Sequence, residues 1–226
     1  MFASHAAFMT AGSAGDPYAN SVVFLLKAQA GNTFSDASSA AHSISKSGTV
    51  TASTSVAKFG GTSAYFDGSG GYLSSPDSND WDFGTSDFTI EMWAYLSSVN
   101  TNKTMISTYA NSTTGWSMQH NQYGGFSWTR GDSPSISEPS PFASANTWAH
   151  VAASRSGTSL RLFINGVQSG STLTNSTDVS GSSSALIIGN FAIYLNQRFI
   201  GYLQDLRITK GISRYTANFT PPGTLV

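Results

Sequence analysis

The side chains able to do acid–base chemistry in this sequence are few and scattered. Glycoside hydrolysis needs two carboxyl groups flanking one bond, about 5–5.5 Å apart for retention and about 6.5–9.5 Å for inversion. The chain has two glutamates, Glu91 in an alternating apolar stretch and Glu138 in a Ser/Pro loop, and neither has an acidic residue two positions away. Pairs built on aspartate stay open, but the expectation is a protein that is not an enzyme. Asp77, Asp80, Asp82 and Asp87 crowd one loop, and calcium takes about six to eight oxygens from such groups. Counting from Asp80 puts Glu91 at position twelve of an EF-hand loop. Thr85, however, stands where position six requires glycine, and Glu91 belongs to a strand. The four aspartates therefore read as turn formers whose side chains bond nearby backbone.

Trp116, Tyr123, Phe126 and Trp128 cluster beside Asn121, Gln122 and Arg130. An apolar ring with a few orienting polar groups is what sugar recognition uses; alternation along strands offers ordinary core packing as the other reading. His120 and His150 lack a Ser or Cys nucleophile signature and any His-rich metal spacing, and read as hydrogen-bonded strand residues. Arg198, Arg207, Lys210 and Arg214 lie near the C-terminus without stacking aromatics between them, which suits a solvated rim or subunit contact better than a nucleic-acid surface.

These side chains must be positioned by strands. Phe88, Ile90, Met92, Ala94 and Leu96 alternate with Thr89, Glu91, Trp93 and Tyr95. Period two sends the first set to a buried apolar face and the second to a partly covered, aromatic-lined face, so the strand is central in a sheet packed on another sheet. Further strands are expected over Ser21–Leu26, Thr49–Ser55, Ala64–Phe66, Tyr72–Ser74, Thr104–Tyr109, Gly115–Gln119, Gly125–Thr129, Trp148–Ser154, Leu160–Ile164, Val167–Ser169, Ala185–Gly189 and Phe199–Ile208. Asn165-Gly166 marks a hairpin, because both central residues of a type I′ turn need positive φ. Gly31–Ser47 and Ser171–Ser184 read as polar loops. No stretch sustains a helical period for three turns. The expected fold is all-β, a two-sheet antiparallel jelly-roll sandwich.

A net charge of −1, with 10% charged residues, gives no footprint for nucleic acid or anionic membrane. The longest apolar run falls short of the ~20 residues a membrane span needs. Cysteine is absent, which excludes disulfides and thiolate metal sites and suits folding in a reducing cytoplasm. Residues 1–16 read as an N-terminal arm or tail rather than a cleaved signal, and residues 17–226 as a single domain.

Five motifs occur in order: Phe66-Asp67-Gly68; Asp87–Trp93 (DFTIEMW); Asn146–Val151 (NTWAHV); Leu162–Gly166 (LFING); and Gly201–Ile208 (GYLQDLRI). Together they resemble the laminin-G-like, pentraxin-like branch of the concanavalin A-like lectin and glucanase fold, over about Pro17 to Pro222. Arg207–Pro222 (RITKGISRYTANFTPP) resembles a variant abundant in tailed-phage virion proteins. The related glucanases carry a Glu-x-Asp-x-Glu pattern that this chain lacks. An aspartate in the last strand of several relatives ligates structural calcium; Asp205 matches that position, with a salt-bridge or turn role as its other reading. The resemblance implies a non-enzymatic structural protein of a phage virion, assembled in the host cytoplasm, such as a capsid decoration (cement) or head-fibre protein. Its partners would be other virion proteins, in a homo-oligomer for which a trimer suits three-fold capsid sites. The alternative is a carbohydrate-binding adhesion module, on a tail fibre or the capsid exterior, that recognises host glycans through Trp116, Asn121, Gln122, Tyr123, Trp128 and Arg130.

Overall fold

The computed structural model describes residues 15–99, 102–111, 113–121, 125–130, 133–137, 144–180, 183–192 and 195–225. In chain order the strands begin with β1 (Val22–Gln29), β2 (Thr33–Asp36), β3 (Ser45–Ser47), β4 (Val50–Ser53), β5 (Ser63–Asp67) and β6 (Tyr72–Ser75). The middle of the chain gives β7 (Phe88–Leu96), β8 (Lys103–Ser107), β9 (Trp116–His120), β10 (Phe126–Arg130) and β11 (Ser133–Ser137). β12 (Trp148–Ser156), β13 (Ser159–Ile164), β14 (Val167–Thr174), β15 (Leu186–Ile188) and β16 (Ile200–Lys210) complete the set.

Among the described residues these strands form two antiparallel sheets, and the only helical pieces are two three-residue 3-10 turns. The larger sheet has nine strands in the order β14-β13-β12-β7-β16-β1-β2, with β5 joining β16 and β4 joining β5. The smaller has seven, β11-β10-β9-β8-β15-β6-β3. The expected all-β sandwich is therefore the observed one. β2, β3 and β11 were not expected, and β14 runs into the predicted polar loop. All four are polar or short, and their pairing comes from neighbouring edges rather than from an apolar period.

β7 is central, between β12 and β16. Phe88, Ile90, Met92, Ala94 and Leu96 point into the space between the sheets, where they meet Trp116, Met118, Phe126 and Trp128 from the smaller sheet in one buried cluster. The opposite face of β7 lies under the chain's C-terminal segment. Asn165 (φ 51°) and Gly166 (φ 79°) form the expected hairpin turn between β13 and β14. At one end of the sandwich the buried Arg155 guanidinium donates to the carbonyls of Gly84, Ser86 and Thr177, which ties two loops to β12. Burial pushes its pKa down from the ordinary arginine value.

Candidate functional site

The β9–β10 hairpin carries most of the predicted ligand-binding residues, and its register divides them between two faces. Trp128 pairs with Met118 and Arg130 with Trp116, and residues paired across strands share a face. Trp116 and Trp128 are fully buried in the core. The Trp116 indole N–H donates to the Trp81 carbonyl at 2.9 Å, and its ring stacks on Phe83 at 5.4 Å. The two tryptophans expected to hold a sugar are core residues. The signal was in the sequence, since Trp116 shares its parity with Met118, and Trp128 with Phe126. Arg130 is on the same inward face at the strand end, with its Nε buried and unpartnered. Asn121 follows β9, and its side-chain oxygen accepts the Gly125 N–H at 3.0 Å, bridging the connection to β10. Gln122 and Tyr123 lie outside the described residues, as does Glu138.

The intervening residues face outward. Ser117, Gln119, Ser127 and Thr129 stand on the outer face of the seven-stranded sheet, joined by Thr104 and Ser107 of β8 in register. The Gln119 amide donates to Ser117 Oγ at 2.7 Å, and Ser117 Oγ lies 2.8 Å from Thr129 Oγ1. Thr104 Oγ1 donates to the Gln197 side-chain oxygen at 3.0 Å. Two residues beyond Ser107, Tyr109 packs on Phe191 with ring centroids 4.7 Å apart. Thr104, Ser107, Ser117 and Ser127 are buried, whereas Gln119 and Thr129 are half-buried and form the open end. None of these six carries a charge. The open end, Gln119 with Thr129, offers donors and acceptors to a neutral, hydroxyl-rich ligand, while the buried hydroxyls and the buried Tyr109–Phe191 pair support it from beneath.

Glu91 does something else. It is fully buried on the outer face of β7, and its Oε1 accepts from Arg207 Nε at 3.0 Å and Nη2 at 2.7 Å. Its Oε2 accepts from the Tyr215 hydroxyl at 2.7 Å and lies 3.1 Å from His150 Nε2. Arg207 and Arg214 both pair with Asp16, at 3.0 and 2.6 Å. Burial pushes the Glu91 carboxyl up, but the His150 hydrogen bond, the charges of Arg207 and His150 and the Tyr215 bond together hold it below its ordinary value. Burial, then the Glu91 charge and hydrogen bond, push the Tyr215 phenol up. A carboxylate sealed and saturated in this way has no oxygen left for a substrate. Arg207 and Arg214, expected on a solvated rim, are buried in this network instead; Asp16 and Tyr215 carry no sequence signal that would have placed them here.

Asp205 sits at the β16 bulge with φ 53°. Its Oδ1 accepts from Lys27 Nζ at 2.7 Å and its Oδ2 from the Leu225 N–H at 3.0 Å. Of its two readings the geometry is that of an ion-pair partner. Among the described residues no group of three or more His, Cys, Asp or Glu is placed to hold a metal. One carboxylate already bound to an ammonium does not fit the oxygen shell of calcium. The crowded aspartates disperse as well: Asp80 takes His42 Nε2 at 2.8 Å and Asp87 takes the Gly157 N–H at 2.6 Å.

Comparison with known proteins agrees with this architecture. Residues 67–212 match the family model of the concanavalin A-like lectin/glucanases superfamily. No curated protein is similar enough to this chain to be matched to it. The binding domain of Paraclostridial Mosquitocidal Protein 1 superposes with a TM-score of 0.68 at 16% identity, over 85% of this chain and 49% of that one. A botulinum neurotoxin type C structure, whose cell entry is described as dependent on two ganglioside molecules, gives 0.64 at 18% identity, over 86% and 49%. Domain 4 of AbnA, a GH43 extracellular arabinanase from Geobacillus stearothermophilus, in complex with arabinotriose, gives 0.61 at 18% identity, over 79% and 87%. The chain thus spans about half the length of the two toxin structures and most of the arabinanase domain. With a family match across well over half of its residues and the two-sheet sandwich in place, the chain belongs to the concanavalin A-like lectin/glucanase superfamily.

Proposed function

We propose that this domain is a non-catalytic carbohydrate-binding module that holds its ligand on the outer face of the seven-stranded sheet. The observation that carries the reading is the half-buried Gln119 and Thr129 at the open end of an uncharged row that the buried Thr104, Ser107, Ser117 and Ser127 hold in register. Sugars present several hydroxyls at once, and a rigid sheet of hydroxyls and amides meets them without first having to order itself. Support also comes from the fold, shared with one domain captured with arabinotriose and one toxin linked to gangliosides. Glu91, sealed beneath the C-terminal segment, supports a binding role over hydrolysis. The phage-particle setting gains no support from the matches described above, which are toxin structures and a glycosidase domain. The motif that suggested it is spent internally, through Arg207, Arg214 and Tyr215.

A broad glycan array tests the reading. The folded chain is expected to give hits, and the double substitution Gln119→Ala/Thr129→Ala to weaken them about tenfold, the loss of two hydrogen bonds of about 0.7 kcal/mol each. A folded protein that binds nothing across the array overturns it.

A further inference from the structure

The nine-stranded sheet carries a second surface of different chemistry. Tyr65, Tyr202, Tyr95 and Trp148 lie in one register row across β5, β16, β7 and β12. Their ring centroids step by 4.7, 5.4 and 5.6 Å, close to the spacing of the strands beneath them. All four are half-buried on the sheet's outer face. The row is uncharged, and burial, followed by the neighbouring Tyr65 and Tyr95, pushes the Tyr202 phenol up, so that it stays neutral. In the next row Trp93 is nine-tenths buried, and its indole N–H meets no acceptor. Lys58, with its ammonium 4.6 Å from the Trp93 ring, is the cation closest to that ring.

We infer that this row is a second glycan-binding surface, one that holds an extended neutral polysaccharide lying across the strands. The inference rests on the carbohydrate reading of the domain. The chemistry favours a neutral glycan because the exposed parts of the rings accept the C–H groups of sugars while the phenol hydroxyls supply hydrogen bonds. A charged partner finds no complementary field in the row.

Trp148 supplies a direct readout. Of the five tryptophans, Trp81, Trp116 and Trp128 are 0% exposed and Trp93 6%, which leaves Trp148 as the one open to a quencher. The full chain is titrated with linear arabinan, galactan, β-glucan, mannan and dextran, following acrylamide quenching and retardation in polysaccharide gels. At least one polysaccharide is expected to shield the tryptophan emission, and Trp148→Phe to abolish that shielding. Tyr202→Ala is expected to weaken retardation at least tenfold, and Gln119→Ala/Thr129→Ala to leave the shielding intact. Binding without any change in quenching, or with full affinity in Tyr202→Ala, overturns the second surface while the first stands. No binding of any polysaccharide overturns the row whatever the array shows. Sedimentation velocity covers the remaining occupant: a dimer dissociated by Tyr202→Ala, with no polysaccharide shielding, makes the row a contact between copies and likewise overturns the inference.

Discussion

Glu91 shows how one residue's environment decides between roles that its chemistry leaves open. Carboxylates in sandwiches of this superfamily invite a catalytic reading, yet here two arginine nitrogens, a phenol and an imidazole converge on both oxygens. Removing one partner of a buried ion pair strands the other, at a cost of about 3–5 kcal/mol. Glu91→Gln is therefore expected to lower the unfolding free energy in denaturant titration by a large part of that amount. Unchanged stability would show the network to be incidental. The residues around Glu91 illustrate what the sequence conceals. Its place on the face opposite the apolar stripe is legible from alternation alone. The arrival of Asp16 and Tyr215 from the two ends of the chain depends on tertiary approach, which leaves no local pattern.

At the scale of elements, alternation located most strands, and applied strictly it also sorts the β9–β10 side chains into the inward and outward sets that are observed. In Trp-Ser-Met-Gln and Phe-Ser-Trp-Thr the large apolar residues share one parity and the polar ones the other, so the outward face, where we propose the ligand lies, is the serine, threonine and glutamine side. Strands that are short and polar, such as β3 and β11, exist because an edge was available to pair with. The β13–β14 hairpin is both a turn and a docking site. The Phe219 N–H donates to the Gly166 carbonyl at 2.8 Å, and the Gln168 N–H to the Asn218 side chain at 2.8 Å. A Cβ on Gly166 would lie 1.9 Å from the Phe219 carbonyl oxygen, at a φ of 79° that side chains disfavour. Gly166→Ala is expected to cost about 1–3 kcal/mol and to raise hydrogen exchange across Arg214–Phe219 before the rest of the sheet. Uniform exchange throughout would mean that the C-terminal segment does not dock as a unit.

Across the whole molecule the balance of charge sets the response to acid. Burial raises the Asp16 carboxyl, but its hydrogen bonds and charge contacts with Arg214 and Arg207, and the Tyr18 N–H, bring it below its ordinary value of 3.8; Glu91 likewise lies below 4.5. Carboxyls with folded values below their unfolded ones stabilise the protein fully above the unfolded values, and that contribution is lost as pH falls through the folded ones. The melting temperature is therefore expected to hold above about pH 5 and to drop steadily below about pH 4, with a shallower decline in Glu91→Gln. A melting temperature that stays level down to pH 3 would uncouple these carboxylates from folding.

The anchoring of Asp16 and Leu225 has a practical corollary. Asp16 is clamped by Arg207 and Arg214, and Leu225 packs on Val22 and Leu25 beside Lys27 and Asp205, all on the back of the nine-stranded layer. Substitutions at Arg207 or Arg214 therefore act on that back, whereas Gln119 and Thr129 belong to the other layer, so the two faces of the sandwich can be altered separately, like the two sides of a coin.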